Sequence, residues 1–340
     1  MSIMIEEAAE AAQVIQRAQP DWRMPIAAAA QALIAWRPTF LATVARGSSD
    51  NAATFTKYLV ETRLGLPTLS QAPSIASLFE TTSPQMRNAA VLAISQSGRS
   101  RDLLATVRDG KAAGALVIAL VNDETSPLAA LADHVIPLKA GTERSVAATK
   151  SFIASLAAIL ALVAAWTRSE ALDDALRALP DALSQAWRQD WSNAVRPLAG
   201  AESLYVLGRG LTYSVAQEMA LKFKETCGIH AEAFSAAEVA HGPAALIGPG
   251  FPVFIVPPHD VARSGMREQI AEFKARGALT IVAGDGFGGD IVLPLQKDLP
   301  AELLPIAAIQ SFYKMVDALA VARGKNPDQP PFLKKVTDTR

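Results

Sequence analysis

The sequence predicts an α/β protein made of two tandem domains, each a doubly wound parallel sheet in a three-layer α/β/α arrangement. Three observations support this fold class. The chain has 340 residues, more than one domain usually contains. Short aliphatic runs alternate with helical stretches. The same order of residues also occurs twice at a constant separation, which indicates an internal duplication.

The repeat is clearest where a strand passes into a helix. VARGSSDNAATFTKYLVET (44–62) and LGRGLTYSVAQEMALKFKET (207–226) each join an apolar strand, an Arg-Gly turn and a helix. Gly47 and Gly210 lie 163 positions apart, and Gly114 and Gly277, each followed by Ala-Leu, have the same separation. A constant separation over two distant segments favours duplicated domains over chance.

Four aliphatic runs in each copy predict the strands. They are FLATVA (40–45), AAVLAIS (89–95), ALVIALV (115–121) and HVIPL (134–138), then SLYVLG (203–208), PVFIVP (252–257), ALTIVA (278–283) and DIVLPL (290–295). Continuous apolar strands alternating with helices are typical of parallel sheets covered on both faces. Such sheets bind ligands beyond the carboxyl ends of their strands.

Composition narrows the class of function. The formal charge is −1 and no basic stripe is present, so we expect no nucleic-acid partner. The single Cys227 allows no internal disulfide. The N-terminus lacks a signal-peptide pattern, and the longest apolar run (152–166) falls short of the ~18 residues of a membrane span. We expect a soluble, cytoplasmic protein that contacts no membrane.

A polar turn at the end of the second predicted strand indicates a phosphate site. Ser95, Gln96, Ser97 and Ser100 surround a glycine and precede a helix, whose first N–H groups and partial positive charge attract anions. Helix capping alone would need only one such residue. The second copy has Pro257-Pro258 here, so the fold does not require the serines.

Two further polar loops follow strands of the first copy. Ser48 and Ser49 lie in the loop 46–51, which is expected to join the first loop around one ligand. The loop 141–150 is less specific, because Ser145 or Thr149 would also serve as an ordinary helix cap.

The second copy carries the ionisable residues, between Glu218 and Pro243. Glu218 and Lys222 are spaced for an ion pair on one helix face, which ordinarily is a solvated face. His241 stands in an Ala-His-Gly-Pro turn. His230, Glu232 and His241 are an alternative set of metal ligands, but no HExxH or paired-cysteine spacing is present.

The sequence has no GxSxG elbow, which disfavours a Ser-His-Asp hydrolase. It also has no GxGxxG and no lysine-bearing nucleotide loop, which disfavours a nucleotide ligand. We expect no metal and no cofactor. The C-terminal segment GKNPDQPPFLKKVTDTR is typical of a frayed end, although Phe332, Leu333 and Val336 give it apolar groups to bury.

These motifs resemble the sugar isomerase (SIS) domain proteins. The resemblance rests on SQSGRS, GTERSVAATKSF, LGRGLTYSVAQEMALKFKE, IHAEAFSAAEVAHGP and NPDQPPFLKKVT, and it extends from about residue 25 to the end. The likeness is greatest to the isomerase half of the glucosamine–fructose-6-phosphate aminotransferases and to the glucosamine-6-phosphate deaminases. It implies two flavodoxin-like domains, at 26–168 and 190–325, with a helical segment before them (1–25) and a tail (326–340) that closes the site.

The resemblance also implies a role for each site residue. A phosphosugar would be held by Ser48, Ser49, Ser95, Gln96, Ser97, Ser100 and the backbone of Val146 and Ala148. Glu225 would move a proton between C1 and C2, and His241 would assist ring opening from the partner subunit of a homodimer. Lys335 would meet the open-chain carbonyl, supported by Lys222 and Glu218.

The aminotransferases carry a glutaminase domain before this unit, and this chain begins at Met1-Ser2 without one. The resemblance therefore favours release of ammonia from glucosamine 6-phosphate, giving fructose 6-phosphate. Three alternatives remain: an isomerase or deglycase of another phosphosugar such as a fructosamine phosphate, a sugar-phosphate-sensing module, and a synthase half that works with a separate glutaminase.

Overall fold

A computed structural model describes residues 2–79 and 81–335. Its helices are α1 (Ile3–Ala9), α2 (Ala11–Trp36), α3 (Ser48–Leu64), α4 (Pro73–Ser77), α5 (Arg101–Ala112), α6 (Pro127–Leu131), α7 (Lys150–Thr167), α8 (Glu170–Arg188), α9 (Val195–Leu198), α10 (Leu211–Cys227), α11 (Met266–Ala275) and α12 (Leu303–Ala322). Its strands are β1 (Phe40–Val44), β2 (Thr68–Ser70), β3 (Ala89–Ser95), β4 (Leu116–Val121), β5 (His134–Pro137), β6 (Ser203–Gly208), β7 (His230–Ser235), β8 (Pro252–Ile255), β9 (Leu279–Ala283) and β10 (Ile291–Leu293).

The chain divides into two compact units, each built on one five-stranded sheet. The described residues of the β1–β5 unit are 13–79, 81–143, 150–178 and 334–335, and those of the β6–β10 unit are 2–12, 144–149 and 179–333. The strand orders are β2-β1-β3-β4-β5 and β10-β9-β8-β6-β7, with every pairing parallel. Both sheets have the flavodoxin-like order 2-1-3-4-5, which confirms the predicted fold class.

Each of the eight predicted strands is present, and the structure adds one strand to each sheet. The added strands are β2 and β7, which form one edge of each sheet. β2 has three residues and β7 has the sequence HAEAFS. Neither contains the continuous aliphatic run that a strand covered on both faces needs, so neither gave a strand signal.

The duplication is visible in the backbone. Gly47 precedes α3 with φ 55° and ψ −132°, and Gly210 precedes α10 with φ 60° and ψ −132°. Each helix also ends at a left-handed glycine, Gly65 or Gly228. Only glycine adopts the conformation of Gly47 and Gly210 without strain, and glycine is also the usual residue at a left-handed helix end. The equivalent helix therefore begins and ends at a glycine in both copies.

The third strand of the sheet departs from the constant separation by one residue. Ala42 pairs with Val91 in the first sheet, whereas the equivalent Tyr205 pairs with Val253 in the second. The structural counterpart of Ser95 is therefore Pro257, one residue before the position that the repeat predicts. Because Pro257 and Pro258 are both prolines, the contrast between the two copies still holds.

Within the part of the chain that the structure describes, two helices are long and apolar enough by composition to cross a membrane. α7 has 18 residues and α12 has 20, and their most apolar windows are 83% and 78% buried. α7 is longer than the 152–166 run indicated, yet it is buried as expected. It packs on α3 in its unit, and α12 packs on α10 in the other. Both are core helices.

Replacing Gly47 with alanine tests the strand-to-helix turn. No atom lies within 4 Å of the added Cβ, so the cost is backbone strain alone. We expect Gly47→Ala to lower the free energy of unfolding by about 1–3 kcal/mol. Gly200→Ala is the control, because its added methyl also meets open space and its φ is ordinary. Equal stability of the two variants in urea titrations would contradict the strain argument.

Candidate functional site

The polar turn after β3 is shaped by one glycine. The Ser95 hydroxyl accepts the Gly98 N–H at 3.0 Å, which closes the turn on itself. Gly98 has φ 62°, and a Cβ there would lie 2.3 Å from the Ser126 Oγ, so only glycine fits. The turn therefore brings the chain directly from the strand end to the first residue of α5.

Helix capping does not account for the serines of this turn. Ser100 occupies the N-cap position of α5, yet its side chain makes no capping hydrogen bond. Ser97 and Gln96 are half-buried beside it. Hydroxyls placed at a helix N-terminus but not used by the helix are suited to an anionic ligand.

Ser48 and Ser49 are the first two residues of α3, which follows β1, the strand next to β3 in the sheet. β1 and β3 are adjacent and parallel, and strand order reverses between them, which is where such sheets bind ligands. The Nε and Nη2 of Arg46 lie 3.0 and 2.8 Å from one oxygen of Asp102, which is 1% exposed. This ion pair ties the two loops together and compensates the acidic charge at the start of α5.

The equivalent position in the β6–β10 unit is built differently. Pro257-Pro258 follows β8, and neither residue has an N–H to offer. Arg209, the counterpart of Arg46, donates to the Ser264 carbonyl at 3.1 Å instead of meeting a carboxylate. The scaffold is thus the same, but the serine-lined turn belongs to the β1–β5 unit.

A buried ionic cluster lies on α10 in the β6–β10 unit. The Lys222 Nζ is 3.2 Å from the Glu218 Oε1, and both side chains are 0% exposed. Lys222 also donates to Glu225, whose side chain is 18% exposed. Glu218 and Lys222 therefore form a buried pair and not the solvated pair that this spacing ordinarily indicates. Helix spacing alone does not tell a buried face from a solvated one.

The charge of Lys222 is fixed by its two neighbours. Burial by itself would lower the pKa of the ammonium, but Glu218 and Glu225 outweigh it and raise the pKa above its usual range. Lys222 consequently stays a cation and acts as a hydrogen-bond donor, not as a base. Glu225 is the member of the cluster that solvent can reach.

The single cysteine follows closely on the same helix but has no nucleophilic character. Cys227 is 0% exposed, and burial raises the pKa of its thiol to about 11. A thiol in this state is protonated at neutral pH and behaves as a small core residue. Of the two carboxylates on the helix, Glu218 is fully buried and Glu225 is the accessible one.

The predicted histidine is exposed. His241 ends a short 3-10 turn (Glu238–His241) after β7, and Gly242 follows with φ 135°. Among the described residues, its ring makes no hydrogen bond or ion pair. The alternative metal ligands do not gather around it. His230 and Glu232 are the first and third residues of β7, and His241 lies six residues beyond the end of that strand. No group of three His, Cys, Asp or Glu gathers anywhere in the described ranges.

The loop containing Val146 and Ala148 is held by a residue that sequence reasoning missed. Glu7 of α1 is 4% exposed and accepts the backbone N–H groups of Arg144 and Ser145 at 2.6 and 3.1 Å. The only sequence signal was an acidic residue on the inner face of the first helix. The Ser145 hydroxyl is buried without a described hydrogen-bond partner, so it is not a helix cap.

The tail is anchored by charge and not by apolar burial. Asp328 accepts the N–H groups of Ile3 and Met4, both at 2.8 Å, and so caps α1 in the β6–β10 unit. Phe332 is fully exposed and Leu333 is 45% exposed, so the expectation that they are buried is wrong. Val336 lies outside the described residues. The prediction of a frayed C-terminal end is also wrong for the segment up to Lys335, because Asp328 and Lys335 both make specific contacts.

Lys335 meets a buried carboxylate within the β1–β5 unit. Its Nζ is 2.9 Å from the Glu143 Oε2, and Glu143 is 0% exposed. Glu143 lies inside the GTERSVAATK loop, but the sequence gave no reason to select it over its neighbours. The predicted residues therefore fall into two sets, each within one unit. Ser48, Ser49, Ser95, Gln96, Ser97, Ser100 and Lys335 lie in the β1–β5 unit, and Val146, Ala148, Glu218, Lys222, Glu225 and His241 in the β6–β10 unit.

Comparison with known proteins settles the family. The SIS domain family model matches residues 40–165 and 197–286, more than half of the chain. The chain belongs to the SIS domain family. The resemblance stated from the motifs is thus confirmed. The first matched range contains strands β1–β5 and the second contains β6–β9.

Curated relatives with high similarity are glutamine–fructose-6-phosphate aminotransferases. That of Corynebacterium glutamicum is 34% identical over 86% of this chain and 50% of its own length. That of Aeropyrum pernix is 38% identical over 77% of this chain and 46% of its own. This SIS chain therefore spans about half the length of the curated relatives it matches.

Solved structures agree with the family. A candidate phosphosugar isomerase from Silicibacter pomeroyi has a TM-score of 0.91 at 40% identity, covering 96% of this chain and 100% of that one. The C-terminal domain of glucosamine–fructose-6-phosphate aminotransferase from Francisella tularensis has a TM-score of 0.86 at 25% identity, covering 97% and 98%. A glucosamine-6-phosphate deaminase from Thermotoga maritima shares the fold, with a TM-score of 0.79 at 22% identity, covering 99% and 100%.

Removing two hydroxyls tests the serine turn. Hydrogen bonds to a charged group contribute about 1.5 kcal/mol or more each, so Ser97→Ala/Ser100→Ala should bind fructose 6-phosphate roughly a hundredfold more weakly. Ser264→Ala, before α11 of the other unit, is the control and should bind as the wild type does. Isothermal titration that finds the double variant unchanged would rule out this turn as the phosphate site.

Lys222 should be needed for stability as well. Lys222→Met leaves the Glu218 carboxylate buried without its cation, which costs about 3–5 kcal/mol of unfolding free energy. Lys224→Met removes an exposed ammonium two residues along the same helix together with its 3.1 Å hydrogen bond to the Ala231 carbonyl, and should cost about 1 kcal/mol. Chemical denaturation measures both values. Similar losses would show that burial of the cluster is not the cause.

Proposed function

We propose that this SIS protein is a phosphosugar enzyme that deaminates glucosamine 6-phosphate to fructose 6-phosphate and ammonia. The observation that carries the proposal is the α10 cluster, in which a buried cation holds one solvent-accessible carboxylate. A carboxylate fixed in this way is suited to moving a proton between adjacent carbons. The serine turn after β3, absent from the duplicate, supports a phosphate ester as the anchored group.

The proposed reaction begins with binding and ring opening. The phosphate is held by Ser48, Ser49 and the turn Ser95–Ser100, with further contacts from the Val146–Ala148 backbone. His241 assists opening of the ring, and Lys335 meets the aldehyde oxygen of the open chain. We assign His241 to the partner subunit of a homodimer, following the family resemblance.

Glu225 then carries out the proton transfer. It removes the proton from C2, which bears the amine, and a proton is delivered to C1. The aldehyde becomes a hydroxymethyl group and C2 becomes an imine. Water adds to the imine and ammonia leaves, so one glucosamine 6-phosphate and one water give one fructose 6-phosphate and one ammonia. Lys222 holds the carboxylate in place, and Glu218 balances the charge of Lys222.

A second candidate function is synthesis in the opposite direction with a separate glutaminase chain. It is favoured by the similarity to half of the aminotransferases. The remaining candidates are an isomerase or deglycase of another phosphosugar and a sugar-phosphate-sensing module. The proposed enzyme is soluble and cytoplasmic, and needs no metal or cofactor.

Incubation with glucosamine 6-phosphate in the absence of glutamine tests the proposal. We expect ammonia and fructose 6-phosphate in equal amounts. Formation of an isomerised sugar phosphate without ammonia would show that the protein is an isomerase and not a deaminase. Binding of fructose 6-phosphate with no turnover of any aminosugar or fructosamine phosphate would leave a sensing module, or a synthase half if an added glutaminase and glutamine restore activity.

Replacing Glu225 tests the proton transfer. Glu225→Gln keeps the shape but not the basicity, so kcat should fall roughly 10²–10⁴-fold. The Kd for fructose 6-phosphate should stay within about threefold, because the base acts in the transition state. Glu232→Gln, an exposed carboxylate on β7, is the matched control and should retain full activity. A variant of Glu225 that lost binding and turnover equally would argue against its role as the base.

A further inference from the structure

Glu143 makes a set of contacts that its position in a loop does not explain. Its side chain is 0% exposed. One oxygen accepts the Ser151 N–H at 3.2 Å, and the other accepts the Ser151 hydroxyl at 2.6 Å. The second oxygen also meets the Lys335 ammonium at 2.9 Å. The carboxylate is thus directed toward the tail by bonds to the first turn of α7.

A fully buried carboxylate is expensive unless a cation and hydrogen bonds accompany it. Ser151 supplies hydrogen bonds and Lys335 supplies the charge. Lys335 in turn gains little from apolar packing, since Leu333 and Lys334 before it are exposed. The ion pair is therefore the contact that locates the Lys335 side chain, which remains 24% exposed and so open to a ligand.

We propose that Glu143 is a positioning residue that sets the place of the Lys335 ammonium for its contact with the sugar carbonyl. This inference rests on the function proposed above, which gives Lys335 that contact. Glu143 acts through Lys335 and does not itself touch the substrate. Ser151 fixes the carboxylate from the side of α7 through its N–H and its hydroxyl.

The competing explanation is that Glu143 only stabilises the start of α7 through Ser151. The two explanations differ in what Glu143→Gln changes. The carbonyl of a glutamine still accepts the Ser151 N–H, and its NH2 group can donate to the Ser151 hydroxyl oxygen, so the start of α7 is retained. It has lost the charge that attracts Lys335. A helix-stabilising role therefore predicts little change in the tail, and a positioning role predicts a large one.

Hydrogen exchange of the tail amides tests this without turnover. In the full-length protein with saturating fructose 6-phosphate, we expect amides 332–335 to exchange at least about tenfold faster in Glu143→Gln than in the wild type. Lys335→Met, which leaves the Glu143 side intact, should give the same acceleration, and the double variant should be no faster than either. Lys334→Met is the control and should match the wild type. Unchanged exchange in both Glu143→Gln and Lys335→Met would overturn the proposal.

Kinetics supply the second readout. We expect Glu143→Gln to lower kcat roughly 10–100-fold with little change in the Kd for fructose 6-phosphate. Combining it with Lys335→Met should add no further loss, since both act through one ammonium. Glu143→Asp, which keeps the charge but shortens the reach, should recover part of the rate. A full additive loss in the double variant would overturn the proposal.

The two proposals fail in different ways. A wild-type protein that binds fructose 6-phosphate but turns over no aminosugar phosphate refutes the deaminase, and the exchange experiment then decides the role of Glu143 alone. An active wild type whose Glu143→Gln variant keeps both its rate and its tail protection refutes the positioning role and leaves the deaminase intact.

Discussion

The turn from each first strand into its helix is the constraint on which the rest of the structure depends. Gly47 and Gly210 adopt nearly the same mirror-image backbone, a conformation that costs other residues about 1–3 kcal/mol. The sharp turn brings α3 or α10 back along the sheet and leaves the helix N-terminus at the carboxyl edge of β1 or β6. The first-turn residues Ser48 and Ser49 reach the binding edge because of it.

Duplication then allowed each unit to keep the scaffold and to specialise. In the β1–β5 unit, a glycine that no side chain can replace lets the chain enter α5 through a serine-lined turn, and Arg46 compensates Asp102 beside it. In the β6–β10 unit, prolines occupy this turn. The charged cluster lies instead on α10, which packs against strands β6 and β7. An anion site needs exposed donors, whereas a fixed acid–base group needs burial.

The sequence was sufficient for the features that depend on local pattern. Eight strands, the division into two α/β domains and the polar turn follow from hydrophobic runs, glycine positions and the repeat. The edge strands β2 and β7 were missed because short, mixed sequences carry no period. The one-residue shift at Pro257 was missed because register depends on pairing across the sheet. Burial of Lys222 was missed because the i, i+4 spacing of an ion pair is the same on a solvent-exposed helix face and on a buried one.

The residues that sequence reasoning did not select share one property, which is that their partners lie far along the chain. Glu7 holds the N–H groups of Arg144 and Ser145, and Glu143 holds Lys335, 192 positions away. Both are buried carboxylates that bond to groups distant in the sequence, although Glu143 also bonds to Ser151, eight positions along the chain. A buried charge of this kind contributes little net stability, since desolvation offsets the attraction, but it tolerates only one arrangement of its partners. Such groups specify position more than they add stability. The segments they fix, the 144–149 loop and the tail, have too few apolar residues to be located by packing.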